Sequence, residues 1–488
     1  MDVALERSRI IFSGYTDEEK KKIEDLVATM DKVFTYEDVD NQKIYLPTGM
    51  VEPIKRIFPG LYIEDRSATH WAYETFEEYP HKAEPRNQLQ IDFIKFVMEQ
   101  VGQKRKLAGI LSPGTGKTFM ACYSALKAKV RTLIIVPTTN IKDQWEETLI
   151  KMFDVPKERV VNVRSPKDFI NVNADFVVVS QASLAVLNKT YDLEKIMKSN
   201  KFGIKVIDEV QMWWHNMIKV DGSSNICHNW YLTGTFGRSS DEENRIYQQM
   251  FGDLAFFREK QLPPTMFNRN PGNIYGMKPH MHTKMIWTRS GLTKAQIKKV
   301  SGSMRYSQRS GKWMRYGISI PAYTSMVIPS DGTMTRFLQK ILTVINMANK
   351  EVTYGKMLVL TPTVASVLVI ERYLKKMYPD KQIGVIHSKQ PKAESDRVKK
   401  ECDIMVSTCK SAGTGFDVKD LSKLVVAEQF KSWILADQVS GRLRKRPDGK
   451  DTYMWDIVDA EIKQLRAWAH TRANILRKKS KSFKVVEL

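Results

Sequence analysis

Cysteine is scarce in this chain. Four residues in 488, at Cys122, Cys227, Cys402 and Cys409, are too few and too scattered for a disulfide framework. With eight histidines they form no Cys/His set of zinc-finger spacing, which argues against a structural zinc. No apolar run approaches the roughly eighteen residues of a membrane helix, and the opening MDVALERSRI is too charged for a secretory signal. These absences lead us to expect an intracellular protein of the cytoplasm with no membrane partner. Acidic residues are missing where they would matter most: residues 256–350 hold 16 basic and 2 acidic side chains, a net of +14, in a chain whose total is +22.

A basic excess of this size commonly meets a polyanion. It is unevenly spread, because residues 1–80 hold 10 basic and 17 acidic side chains, a net of −7. Length suggests about three domains. The hydrophobic content of 42% and aromatic content of 10% suffice for packed cores.

The densest chemistry lies at LSPGTGKT, Leu111 to Thr118, between the apolar run Leu107–Leu111 and the helix-like FMACYSALKAK. A strand, a glycine-bearing loop closing in Gly-Lys-Thr and a helix form the arrangement that holds nucleotide phosphates. Pro113, Gly114, Thr115 and Gly116 would supply the loop, Lys117 would reach the β/γ oxygens, and Thr118 would face Mg²⁺. Leu111 stands where the pattern expects its first glycine. Upstream, Arg86, Gln88 and Gln90 open an amphipathic helix and could read an adenine edge. Downstream, TLIIV ends in Pro137, Thr138 and Thr139, FVVV leads to Gln181, and GIKVI ends in Asp208-Glu209-Val210-Gln211. Ligands of parallel sheets gather at such strand ends. Of the two adjacent carboxylates, Asp208 suits a cation and Glu209 suits polarising a water. Thr233 and Thr235 in YLTGT close a doubly wound α/β unit over residues 81–255.

Residues 256–335 break the alternation at Pro263, Pro264, Pro271 and Pro279, then set Arg305, Arg309, Lys312 and Arg315 among Tyr306, Trp313 and Tyr316. Cations with interleaved aromatics suit a nucleic-acid strand; an inter-domain linker is the alternative. The βα rhythm returns over 336–488. Strand ends fall at Thr361, Pro362 and Thr408, a loop at Gly413, Gly415 and Asp417, and a basic stretch at Gln438, Arg442, Arg444, Lys445 and Arg446, before a basic tail. Residues 1–80 read as a small acidic α/β domain, a structural or docking appendage.

Taken in order, PRNQLQ, SPGTGKT, VPTTNIKDQW, VSQASL, DEVQ, LTGTF, LVLTPT, STCKSAGTGFD and QVSGRLRKR resemble the superfamily 2 helicases and translocases over residues 84–488. VPTTNIKDQW, LTGTFGR and the ending WDIVD look most like the UvsW-type phage helicases and their XPB and RecG-like relatives. The resemblance implies an α/β chain of two RecA-like parallel-sheet lobes in tandem behind a small N-terminal α/β domain. It further implies ATP and Mg²⁺ as cofactors, and a monomer acting on single-stranded, forked or branched DNA in recombination, replication or repair, in the host cytoplasm if the source is viral. Replication or recombination proteins are the expected partners. An RNA helicase, a duplex translocase that does not separate strands, and a scaffold with a degenerate ATPase fold are the alternatives. By the resemblance, Lys117, Asp208, Glu209, Gln211, Gln438, Arg442 and Arg444 are catalytic, Thr118 and Asp208 hold the metal, and Gly415 and Asp417 join the nucleotide site. The motif departs from Q-x-x-G-R-x-x-R, since Lys445 takes the second arginine position, leaving Arg444 and Arg446 as candidates.

Overall fold

The computed structural model describes residues 1–27, 36–80, 83–112, 114–212, 214–234, 247, 251, 253–259, 280–301, 304–307, 312–315, 317–387, 389–409, 411–412 and 418–488. The chain divides into two units, Met1–Tyr275 and Gly276–Leu488.

In the first unit β1 (Asp2–Leu5), β2 (Ile10–Ser13), β3 (Tyr36–Asp38), β4 (Lys43–Leu46) and β5 (Glu64–Asp65) make a mixed sheet in the order β3-β4-β2-β1-β5. This small sheet is not separate from the remainder of its unit. Ile10, Phe12, Ile44 and Leu46 share one buried cluster with Trp214, Met217 and Ile218 of the helix Trp214–Gly222. The Arg9 guanidinium, 4% exposed, pairs with Glu6 and Glu194 and donates to the Gly222 carbonyl. Arg7 donates to the Cys227 carbonyl at 3.1 Å. The expected appendage thus contributes core to its neighbour.

The larger sheet contains β6 (Leu107–Ile110), β7 (Thr132–Val136), β8 (Val160–Asn162), β9 (Phe176–Ser180), β10 (Ile204–Ile207), β11 (His228–Thr233) and β12 (Ala255–Arg258), ordered β12-β6-β11-β10-β7-β9-β8, with every pairing parallel. β7, β9 and β10 are buried at every residue, as β-branched runs covered on both faces must be.

In the second unit the order is β17-β18-β16-β19-β20-β13-β21, again parallel throughout. Its strands are β13 (Met281–Thr288), β16 (Lys356–Thr361), β17 (Ile383–Ile386), β18 (Ile404–Thr408), β19 (Leu421–Val426), β20 (Thr452–Asp459) and β21 (Ser480–Glu487), while β14 (Met304–Ser307) and β15 (Lys312–Arg315) form a separate antiparallel hairpin. Two expectations change here. The stretch 256–335 is divided, since β12 completes the first sheet and β13 lies inside the second, between β20 and β21. The prolines named above end at Pro279, and MHTKMIWT then alternates buried and half-buried residues over its first half before Met285 and Ile286 are buried together. The basic tail is a helix, Lys463–Lys479, followed by the edge strand β21, whose Lys481 and Lys484 guard an otherwise open ladder.

Arg9→Ala should therefore destabilise the first unit by about 2–4 kcal/mol, because it strips a buried guanidinium from its carboxylate and carbonyl partners. Thermal unfolding monitored by circular dichroism checks this, and a melting temperature unchanged from wild type would show that the two sheets do not depend on this contact.

Candidate nucleotide and nucleic-acid sites

β6 ends against Leu111, which is fully buried, so the side chain standing in for the usual glycine is absorbed by the core. Gly114 and Gly116 then take φ of 85° and 93°, a left-handed backbone that glycine adopts without steric cost, and the helix Lys117–Ala128 begins. A Cβ on Gly116 would lie 2.6 Å from Gln90 Nε2. Gln90 is built into this loop: it is 1% exposed, its carbonyl accepts from Arg86 N–H at 2.8 Å, and its amide donates to the Thr115 carbonyl at 2.9 Å. Gln88 is exposed and donates instead to Asp92 at 2.7 Å. The two glutamines are thereby distinguished, and only Gln90 braces the phosphate loop. Ser112 N–H donates at 2.5 Å to Glu259, a buried carboxylate at the end of β12. Nothing in the sequence around Glu259 signals that contact.

Lys117 Nζ sits 3.2 Å from Glu209 Oε1. Glu209 in turn accepts from Gln211 Nε2 at 2.5 Å, and Gln211 Oε1 accepts from the Thr233 hydroxyl at 2.6 Å. One continuous polar chain therefore joins the phosphate loop, the end of β10 and the end of β11. Glu209 holds φ at 49°, an uncommon and costly backbone for a non-glycine residue, which turns its carboxylate back toward the loop.

Asp208 is 5% exposed. Its Oδ1 accepts from Glu209 N–H at 2.9 Å and its Oδ2 from the Trp145 indole N–H at 3.0 Å. Burial, then the charge of Glu209, push this carboxyl up to about 6, while Lys117 and the indole act the other way. A carboxylate held at such a desolvation cost is one that a divalent cation would stabilise, so the residues fit Mg²⁺. Thr118, half-buried, is the second residue of the helix Lys117–Ala128. Mg²⁺ commonly takes one or two carboxylates and draws its remaining ligands from phosphate and water. Trp145 lies within the KDQW run, and its part in the site is not legible there, because nothing in a lone tryptophan announces a carboxylate partner.

At the ends of β7 and β9, neighbours in register at Val136 and Ser180, two buried polar atoms lack any partner among the described residues: Thr138 Oγ1 and Gln181 Oε1. Pro137 is buried and Thr139 exposed, so the exposed edge of this loop begins after the proline. In the second unit Thr361 is fully buried with its hydroxyl on Ser366, and Thr408 donates to Ser411 at 3.0 Å. Both hydroxyls are engaged within their own unit, and Pro362 beside Thr361 is half-buried. Arg305, Lys312, Trp313 and Arg315 fall on β14 and β15, where Tyr306 and Trp313 are register partners. Pro113, Thr235, Arg309, Gly413, Gly415 and Asp417 lie outside the described residues.

Gln438 lies on the helix Trp433–Ser440, with Arg442 two residues past its end and Arg444 exposed. Arg446 is 8% exposed, chelates Asp448 at 2.9 and 2.7 Å, reaches Asp420 at 2.7 Å, and lies over the Tyr354 ring. Its guanidinium is bound into the fold of its own unit, whereas Arg444 is exposed.

Residues 83–227 match the family model described as type III restriction enzyme, res subunit. The chain is 32% identical over 132 residues to "Putative ATP-dependent RNA helicase L396" of Acanthamoeba polyphaga mimivirus, a match covering 27% of this chain and 23% of that protein. It is 21% identical over 369 residues to "Putative helicase 161L" of Invertebrate iridescent virus 6, covering 71% and 70%. Among solved structures, a fragment of "a putative HsdR subunit of a type I restriction enzyme" from Vibrio vulnificus YJ016 shares the fold at a TM-score of 0.55, with 14% identity, over 84% of this chain and 70% of that one. T4 UvsW aligns over 100% of both chains at 17% identity and a TM-score of 0.34. The ordered motifs and the two parallel RecA-like sheets thus make the chain similar to the superfamily 2 helicases in sequence pattern and in fold.

Proposed function

We propose that the chain is an ATP hydrolase coupled to movement along DNA, a helicase or translocase acting on single-stranded, forked or branched DNA. The observation that carries this reading is the unbroken chain from Lys117 through Glu209 and Gln211 to Thr233, which ties the phosphate loop to the end of β11. Lys117, now paired with Glu209, is the cation a γ-phosphate would draw away. Glu209, released from it, is placed to accept a proton from the attacking water. Asp208 and Thr118 would hold Mg²⁺, which neutralises phosphate charge when bound. Gln211, hydrogen-bonded to both Glu209 and Thr233, would pass the change at Glu209 to β11. Arg442 and Arg444 are the arginines we assign to stabilising the charge that develops on the transferred phosphoryl group.

DNA contacts made through strand-end loops and phosphates carry little base information, so preference should follow the form of the DNA and not its sequence. The UvsW-like motifs and the +14 charge of residues 256–350 support branched DNA as the substrate. A second reading, an RNA helicase, is favoured by one observation, the name borne by the mimivirus relative.

Lys117→Ala should abolish ATP hydrolysis while leaving binding of a fluorescent single-stranded oligonucleotide within about twofold, and retained turnover would sink the ATPase assignment. Thr233→Val removes the hydroxyl but keeps the shape. We expect basal hydrolysis to hold within a few-fold while strand separation per ATP falls about tenfold, the equivalent of one buried hydrogen bond; equal losses in both would remove the coupling role. Steady-state hydrolysis with single-stranded, forked, four-way and duplex DNA and with RNA, each at two salt concentrations, separates the two readings. Strongest stimulation by single-stranded or branched DNA is expected, and stimulation by RNA alone would transfer the chain to the second.

A further inference from the structure

The helix Thr139–Phe153 joins two features that the sequence treats separately. Its N-terminal end adjoins the strand-end loop in which Thr138 makes no side-chain cap and keeps a buried hydroxyl without a partner among the described residues. Six residues along, about 9 Å at the rise of a helix, Trp145 is 1% exposed and donates its indole N–H to Asp208 Oδ2 at 3.0 Å. Its ring is packed into the same buried cluster as Ile134, Val136, Ile141 and Leu149, so it cannot move without the helix. A carboxylate's terminal torsion is broad and poorly fixed by sterics alone. With Glu209 N–H on one oxygen and the indole on the other, the plane of Asp208 is set by two neutral donors. A carbonyl could have satisfied the indole equally well in a purely structural core.

We propose that Trp145 is a positioning residue. Its indole N–H orients the Asp208 carboxylate toward the divalent cation and transmits to it any shift of the helix whose leading end meets the nucleic-acid strand. This rests on the reading of Asp208 as a cation ligand and of Thr138–Thr139 as a strand contact.

Trp145→Phe in the full chain keeps an aromatic ring and removes only the donor and part of the bulk. Mn²⁺ affinity in the presence of ADP, read from the free-Mn²⁺ electron paramagnetic resonance signal, should weaken about tenfold, in the range seen when groups supporting a metal ligand are lost. Stimulation of hydrolysis by single-stranded DNA should fall by a similar factor. Wild-type Mn²⁺ affinity in a folded variant overturns the proposal. Wild-type protein labelled with ¹⁵N-tryptophan gives an arm that needs no variant. The indole N–H resonance most broadened by Mn²⁺ and ADP should also shift when an oligonucleotide is added, and a resonance indifferent to the oligonucleotide would overturn the coupling. A wild-type chain that binds Mn²⁺ and ADP but hydrolyses no ATP with any polymer would remove the proposed function instead.

Discussion

Two adjacent carboxylates at the end of β10, Asp208 buried and Glu209 half-buried, are the constraint on which the first unit's chemistry depends. Asp208 and Glu209 repel one another, and burial penalises the ionised form of Asp208, so its carboxyl rises to about 6. Such a pair persists only when its surroundings over-determine it. Here the ammonium of Lys117, the Trp145 indole, the Glu209 backbone N–H and the Gln211 amide each supply one donor. These donors are drawn from the phosphate loop, the helix after β7 and the segment after β10, so the cost of holding the charges is spread over all three. An arrangement that must be assembled from several elements will register a displacement of any of them, which a site built on one loop would not.

The parallel sheets were legible because continuous β-branched runs such as TLIIV have few other uses. The phosphate loop was legible because glycines before Lys-Thr answer a steric need. What escaped was tertiary. Nothing local distinguishes Gln88 from Gln90, two residues apart at the start of one helix; only the approach of the loop makes Gln90 its brace. Arg444 and Arg446 likewise differ only through Asp420, Asp448 and Tyr354, of which only Asp448 is near in sequence. Trp145 and Glu259 were invisible for the same reason, since a single buried donor or acceptor has no periodicity to detect. β13 escaped for another reason: prolines just upstream suggested a linker, and its partners β20 and β21 lie more than 160 residues later.

The acidic N-terminal unit illustrates how composition can mislead about dependence. Its net charge of −7 sets it off from the basic remainder of the chain. Its apolar residues nevertheless belong to the core of the larger sheet beside it, and Arg9, from the minority charge, makes the buried connection. Charge describes the solvent-facing surface of a domain, whereas cooperation between domains is decided by what is hidden, and the two need not agree.

The same reasoning bears on how far the polar chain from Lys117 to Thr233 can carry a signal. Each link is a single hydrogen bond or ion pair of modest net worth in isolation. At its buried members, Gln211 and Thr233, however, a donor that loses its acceptor has no solvent to turn to, and the penalty falls on whichever neighbour can move. Gln211 is 2% exposed and bonded on both sides of its amide, so a displaced Glu209 must either carry Gln211 with it or leave its N–H unmet. Thr233, at the end of a strand buried along its whole length, is the less compliant partner. A moved carboxylate therefore displaces Gln211 before it displaces Thr233.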